Sequence, residues 1–307
     1  MKSYYRVMLG KRSVHASECV AGGFIGVDFD ISQDLTGKLP EDWRTFNKEF
    51  IPVYLEGHPG KSKIAAGLAC GAVWTASKGI HRGDIVLSPD GTGRYHVGEV
   101  VGEYTYEPNG ILPHRRPVHW LNQMIDRTEM SEALQNSTGV PGTICNISTY
   151  HQEIERLLAG LSAPGFIVTD EAVEDPLAFA MEKHLEDFLV QNWSQTELGQ
   201  EYDIYEEEGE YIGQQYPTDT GPMDILALSK DGQTLLVVEL KKGRASDVVV
   251  GQILRYMGYV KEELAENHQT VKGVIIALED DQGIRRALAI ELLYKICVMC
   301  ENYAAAH

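Results

Sequence analysis

Cysteine is scarce in this chain, and the five present are odd in number and widely scattered, which argues against a disulfide framework. Cys297 and Cys300 form a CxxC, yet no second Cys or His pair stands at zinc-ligand spacing, so they read as thiols near a helix end. Long apolar runs are also missing. Nothing approaches the roughly 18 to 20 residues a membrane span needs, and "MKSYYRVMLGKRS" lacks the apolar segment of a secretory signal. A cytoplasmic location with no membrane partner is the expectation. Positive charge is short as well: 27 Lys and Arg stand against 45 Asp and Glu, a formal net charge of -18. That excludes broad, nonspecific attraction to nucleic acid, because neutralising phosphates takes Lys and Arg. It leaves room for a local basic groove, or for acids that hold cations. There is no internal repeat, and "YEEEGE" at 205–210 is the one biased tract, a solvated turn.

With 307 residues and 43% hydrophobic content, the chain can build two domains, each with its own core. The charge divides unequally. Residues 1–150 hold 15 basic against 16 acidic groups, and residues 151–307 hold 12 against 29. Composition changes over 134–170, where "QNSTGVPGT", a short amphipathic "YHQEIERLLAGL" and "SAPGF" predict a connector with one small helix. The expected organisation is therefore residues 1–133, the connector 134–170, and residues 171–307.

The second half has a readable order. Asp175-Pro176 starts a helix to about Gln191, with Leu177, Met181, Leu185, Phe188 and Leu189 on one face. Strands are expected near 200–205, at "MDILAL" and, beyond the Asp231-Gly232 turn, at "QTLLVVELKK". A helix "VVVGQILRYMGYVKEELAE" capped by Ser246 or Asp247, a buried strand "KGVIIAL" and a helix "GIRRALAIELLYKICVMC" complete it. The fold class is α/β, a sandwich around a mixed sheet.

On that frame, the strand carrying Glu239 and Lys241 places both on one face, because side chains alternate along a strand, and Asp224 lies on the neighbouring strand. Two converging carboxylates make a hard-oxygen site for Mg²⁺ or Mn²⁺, and the lysine can stabilise charge on an attacking water or a phosphorane-like transition state. The bland alternative is an ordinary ion pair at a strand end.

Asp224 followed fifteen residues later by Glu-x-Lys resembles the PD-(D/E)xK nuclease pattern, filled by Pro222-Met223-Asp224 and Glu239-Leu240-Lys241. Gln252 and Tyr256 in "GQILRYMGYV" resemble the Q-x-x-x-Y helix of RecB-like members. Over roughly residues 175–300 the likeness is to the C-terminal nuclease domain of the NucS/EndoMS mismatch endonucleases, carried by "VVELKKGRASDVVVGQILRYMGYV". The resemblance implies Asp224, Glu239 and the backbone carbonyl of Leu240 as metal ligands and Lys241 as the catalytic lysine. Gln252 and Tyr256 become supports of the site, and Glu182, with Glu186 as the alternative, the helix acid.

The first half alternates strands and turns: "YYRVML", "GGFIGVDFD", "GDIVLSPDG", "GRYHVGEVVGEYTYE" and "RRPVHWL", with a helical "KSKIAAGLACGAVWTAS" between the second and third. "GHPGKSK" is not a phosphate-binding P-loop, because that motif needs glycine at position 55 and Leu55 stands there. The run from "GDIVLSPDG" to "PVHWL" resembles PUA-like modules of the EVE and YTH kind, which implies a small barrel holding a flipped base. Trp43, Trp74, Tyr104, Tyr106 and Trp120 are the candidate stacking faces, with His114, Arg115 and Arg116 for phosphates and Asp28 for a base edge. Where family members often carry Trp in the early strand, this chain reads "IGVDFD".

The combined expectation is a reader joined to a cutter: a Mg²⁺-dependent endonuclease of modification-dependent restriction acting on double-stranded DNA as a homodimer. A mismatch or branched-DNA repair endonuclease is one alternative. A non-cleaving reader of modified nucleic acid is the other.

Overall fold

The computed structural model describes residues 2–140, 142–160, 185–206, 211–244, 247–279 and 297–298. The chain divides into two compact units, Met1–Ile167 and Val168–His307. Among the described residues, no helix is long and apolar enough to cross a membrane.

In the first unit, strands β1 (Tyr4–Val7), β2 (Phe24–Val27), β3 (Ile85–Pro89), β4 (Arg94–Val100), β5 (Thr105–Tyr106), β6 (His114–Asp126) and β7 (Ile144–Asn146) form one sheet. Its order is β2-β6-β4-β3-β1-β7, with β5 also on β6. β1 and β3 run parallel and the other pairings are antiparallel. Among the described residues no pairing joins β7 back to β2, so strand pairing does not by itself trace the expected small barrel. Central strands are apolar on both faces. Tyr4, Ile85 and Leu87 enter one core, while Tyr5, Val7 and Val86 enter another, as period-two alternation requires.

Helix α1 (Ala16–Gly22) links β1 to β2, and α2 (Trp43–Gly57) and α3 (Lys63–Trp74) lie between β2 and β3. Only α3 was expected. α2 has clear causes: the Asp42 carboxylate caps it by accepting from the N–H groups of Arg44 (2.9 Å) and Thr45 (3.3 Å). Phe46, Phe50 and Tyr54 recur every fourth residue into the core shared with α3. Pro52 inside the helix masks that signal in the sequence.

The expected connector differs too. Helices α4 (Glu132–Gly139) and α5 (His151–Leu158) flank β7, and Leu134, Ile147, Ile154 and Leu157 are buried in the first unit's core. Short apolar segments among turn residues read as a linker, yet β7 pairs with β1 and these residues share a core with Tyr4, Ile85 and Leu87 of strands far off in sequence.

In the second unit the residues at 185–191 are helical, while the remainder of the expected helix from 175 lies outside the described residues. Helix α6 (Glu197–Glu201), β8 (Tyr202–Ile204), β9 (Gln214–Tyr216), β10 (Met223–Ser229), β11 (Thr234–Arg244), α7 (Asp247–Tyr259), β12 (Thr270–Glu279) and β13 (Cys297–Val298) follow. The sheet order is β13-β12-β11-β10-β8, with β9 also pairing β10. It is mixed, as expected: β11, β12 and β13 are parallel, and β8, β9 and β11 are antiparallel to β10. Ile225, Ala227, Leu236, Val238 and Leu240 face a core with Leu189, Trp193 and Tyr202. On the other face, Ile253 and Met257 of α7 lie against Gly273 of β12, where an added Cβ would come within 2.5 Å of the Met257 sulfur.

The expectation of a helix through Cys297 is corrected. Cys297 and Val298 are strand, paired in parallel with Ile276 and Ala277 of β12. An apolar run cannot by periodicity alone separate a buried helix end from a buried parallel strand. The proposed caps Ser246 and Asp247, the remainder of that helix, Cys300 and most of the acidic tract lie outside the residues whose side chains are described.

Candidate active site

The last residues paired between β10 and β11 are Ile225 and Val238, so Asp224 and Glu239 face each other where that ladder ends. Leu240 donates its backbone N–H to Asp224 Oδ2 at 2.7 Å, which fixes the aspartate against β11. Glu239 is 1% exposed, and its Oε1 lies 3.5 Å from Lys241 Nζ, whose side chain keeps 30% exposure. The i, i+2 spacing therefore does put acid and ammonium on one face. The β11 register with β12 shifts directly after Lys241, a bulge of the kind that ends regular pairing and re-aims side chains beside sites.

α7 secures the approach to Asp224 from behind. The Tyr256 hydroxyl accepts from Gln252 Nε2 (3.2 Å) and donates to the carbonyl of Pro222 (2.9 Å), two residues before Asp224. Gly221 next to it has φ +119°, a conformation open to glycine, and an added Cβ would sit 3.4 Å from the Tyr256 oxygen. Burial raises the Tyr256 pKa; the Gln252 hydrogen bond opposes this, and the negative charges of Glu239 and Asp224 add to it. Gln252 and Tyr256 thus hold the turn that delivers Asp224.

Glu182 lies outside the described residues. Glu186, the alternative helix acid, is 2% exposed and bound to this site. Its Oε1 accepts from Gln214 Nε2 (2.7 Å) and its Oε2 from Gln215 Nε2 (2.5 Å). Gln215 Nε2 also donates to Asp224 Oδ1 (3.2 Å), so one amide joins the helix carboxylate to the strand carboxylate. The two glutamines were not anticipated. Their sequence signal is the polar pair in "GQQY", one short strand before "PMD".

The first unit treats its expected ligand-binding residues differently. His114 is 0% exposed; its Nε2 donates to the Ile31 carbonyl (2.7 Å), and its Nδ1 accepts from the Tyr104 hydroxyl (2.9 Å). Tyr104 also accepts from the Leu35 N–H (3.3 Å), and a neutral imidazole with its proton on Nε2 satisfies all of these bonds. Burial lowers the His114 pKa and pushes that of Tyr104 up to about 12.

Arg116 is 4% exposed and donates to the carbonyls of Ala76, Ser77 and Gly102 and to Glu103. Arg115 donates to the carbonyls of Leu112 and Ile111 and lies 4.0 Å over the Phe24 ring. Of the expected positive group for phosphates, His114 and Arg116 are thus buried inside the sheet, while Arg115 is half-buried with its guanidinium on backbone carbonyls. Alternation on β6 sends His114 and Arg116 inward, and paired carbonyls are what make a buried guanidinium tolerable.

The aromatic candidates are half-buried. Trp74 donates to the Pro40 carbonyl (3.0 Å) and Trp120 to the Cys19 carbonyl (3.2 Å). Tyr106 packs its ring 5.3 Å from that of His114, and Trp43 begins α2. Asp28 is exposed and accepts from the Asp30 N–H at 3.0 Å.

In comparison with known proteins, the two units match different family models. Residues 182–293 match the family model described as "Endonuclease NucS C-terminal domain", and residues 5–148 match one described as a domain of unknown function, DUF8426. The chain is 33% identical over 88 residues to "Endonuclease NucS" of Pyrococcus abyssi, a stretch covering 29% of this chain and 34% of that protein. It is 32% identical over 114 residues to "Endonuclease NucS" of Corynebacterium efficiens, covering 34% of this chain and 44% of that one. The chain thus spans less than half the length of the curated relatives it matches. Among solved structures, "crystal structure of a repair endonuclease from Pyrococcus abyssi" aligns with a TM-score of 0.30 and 16% identity, over 68% of this chain and 66% of that one.

Proposed function

We propose that this chain is a divalent-metal-dependent DNA endonuclease of the repair kind, cutting duplexes at a mismatch or similar distortion. The observation that carries the reading is Asp224 facing Glu239 at the end of the β10/β11 ladder, with Lys241 3.5 Å from the buried glutamate.

The donor set fits a hard cation. Among the described residues no three acidic, histidine or cysteine side chains converge to hold an ion unaided. Two carboxylates with the Leu240 carbonyl are nevertheless enough for Mg²⁺ or Mn²⁺, which keeps several waters and is held by one or two carboxylates together with substrate phosphate. Bound there, such a cation lowers the pKa of a water and neutralises charge on the phosphate. Asp224 and Glu239 would hold it. The Lys241 ammonium, partly exposed and anchored by Glu239, would stabilise the negative charge that grows on the phosphoryl oxygens. Tyr256 and Gln252 keep the Pro222 turn in place, so Asp224 needs no rearrangement when substrate arrives.

Similarity of residues 182–293 to the family model described as "Endonuclease NucS C-terminal domain" supports the repair reading over modification-dependent restriction. Restriction also loses support from the first unit, where His114, Arg115 and Arg116 serve internal bonds. Double-strand cutting by single-strand sites would favour a homodimer.

The test is cleavage of matched duplexes in Mg²⁺ or Mn²⁺: unmodified, mismatched, and carrying 5-methylcytosine or glucosylated 5-hydroxymethylcytosine, with Lys241→Ala as control. Preferential cutting of the mismatch, lost in the control, is expected. Cutting confined to a modified duplex would restore the restriction reading, and absence of cutting in either metal would overturn the nuclease.

A further inference from the structure

We propose that Gln215 is a positioning residue of this site, an uncharged clamp that ties Glu186 to Asp224 and so sets the carboxylates for a divalent cation. The inference rests on the endonuclease reading above. Its starting point is geometric. In a regular strand, neighbouring side chains leave opposite faces. Gln214 and Gln215 are neighbours on β9, yet both amides reach the one carboxylate of Glu186, at 2.7 and 2.5 Å.

The backbone explains this. Gln215 has φ +51°, a left-handed conformation uncommon for a residue with a Cβ. That break in the alternation turns its side chain onto the side Gln214 already uses. Such outliers persist where surrounding structure over-determines them, often at functional sites. The β9/β10 register pairs Tyr216 with Met223 and Gln214 with Ile225, which leaves Gln215 opposite Asp224. The amide nitrogen carries two hydrogens, and they serve the two acids, Glu186 Oε2 and Asp224 Oδ1.

Chemistry explains the choice of glutamine. Two carboxylates served by one nitrogen repel each other. A lysine or arginine between them would relieve the repulsion by cancelling the charge a divalent cation needs, and an acid would add to it. A neutral donor holds both and leaves their negative charge in place. Each carboxylate oxygen has more than one lone pair, so accepting an N–H still permits ligation.

The experiment uses the full chain with Gln215→Gly, which suits a positive φ, and Gln215→Asn, which tolerates it but draws the amide back by one methylene. Mn²⁺ alone is titrated calorimetrically without DNA, and melting temperature and the kcat and KM of mismatched-duplex cleavage are measured alongside. Both variants are expected to melt within a few degrees of wild type, to bind Mn²⁺ about 10- to 100-fold more weakly, as loss of a ligand-orienting partner does, and to lose kcat by a similar factor with KM little changed. Wild-type Mn²⁺ affinity and kcat in either folded variant would reduce Gln215 to a structural tie and overturn the inference. A wild-type protein that neither binds Mn²⁺ nor cuts any duplex would instead overturn the endonuclease reading itself.

Discussion

The two units use buried charge for opposite ends. In the first, Arg116 is buried with its guanidinium on the carbonyls of Ala76, Ser77 and Gly102 and on Glu103, beside a His114 whose ring nitrogens are bonded to the Ile31 carbonyl and the Tyr104 hydroxyl. In the second, Glu239 faces Asp224 at the end of a strand pair, Glu186 is tied to Asp224 through the Gln215 amide, and Lys241 beside Glu239 is still partly open to solvent. Paired with backbone acceptors, a buried cation is scaffold. Several carboxylates held together carry an electrostatic cost that structure alone does not demand, which makes the cluster the better candidate for chemistry.

The sharpest break of this comparison is at the acids. Asp224→Asn and Lys241→Ala are each expected to reduce duplex cleavage by about 10²- to 10³-fold, while urea denaturation midpoints change little. A folded Lys241→Ala that cuts normally would put this cluster on the scaffold side.

Arg116→Ala is expected to act the other way. Removing the guanidinium strands several buried carbonyls and should cost about 2–4 kcal/mol of first-unit stability, read from urea unfolding. If the variant unfolds like wild type but loses DNA affinity in a binding titration, Arg116 is a ligand residue after all. Tyr256→Phe sits between the two classes: it deletes one hydroxyl bonded to Pro222 O, with an expected cost of about 1 kcal/mol and a reduced kcat without a matching change in KM. A variant whose kinetics are untouched would detach the Pro222 turn from the chemistry.

The smallest effect is with pH. Burial lowers the His114 pKa from its ordinary 6.5, so the folded state prefers neutral imidazole. That stabilisation is present above the unfolded value and is lost as pH falls toward and through the folded one. The first unit should lose stability progressively below about pH 6.5, and His114→Gln should flatten that slope in melts at successive pH values. A slope unchanged by the substitution would show that His114 is not its source.

Much of the second unit was legible because its information is local. Alternation in "VVELKK" is enough to put Glu239 and Lys241 on one face, and the turn at Asp231-Gly232 brings β10 back beside β11 so that Asp224 meets Glu239. The spacing of Gln252 and Tyr256 already placed them one helical turn apart. Glu186 was ambiguous with Glu182, since helical periodicity gives both one face and says nothing of what the face meets. Gln215 was invisible, because its role depends on a left-handed φ that an unbranched polar side chain does not announce.

In the first unit, residue type did not disclose burial. Arg, His and aromatic residues close together in sequence suggest a nucleic-acid surface, yet a thirteen-residue strand, β6, carries His114 and Arg116 inward to meet Ile31, Ala76 and Ser77 from distant segments. The sequence by itself determined the mixed α/β sheet, the pairing of Asp224 with Glu239 and Lys241, and the helix behind them, since period, turn and register act over a few residues. Only the tertiary structure decided that Glu186 is tied to Asp224 through Gln215, that two adjacent glutamines point the same way, and that Arg116 is buried. Those outcomes depend on which far-off groups arrive to satisfy a polar atom, and no local pattern records that.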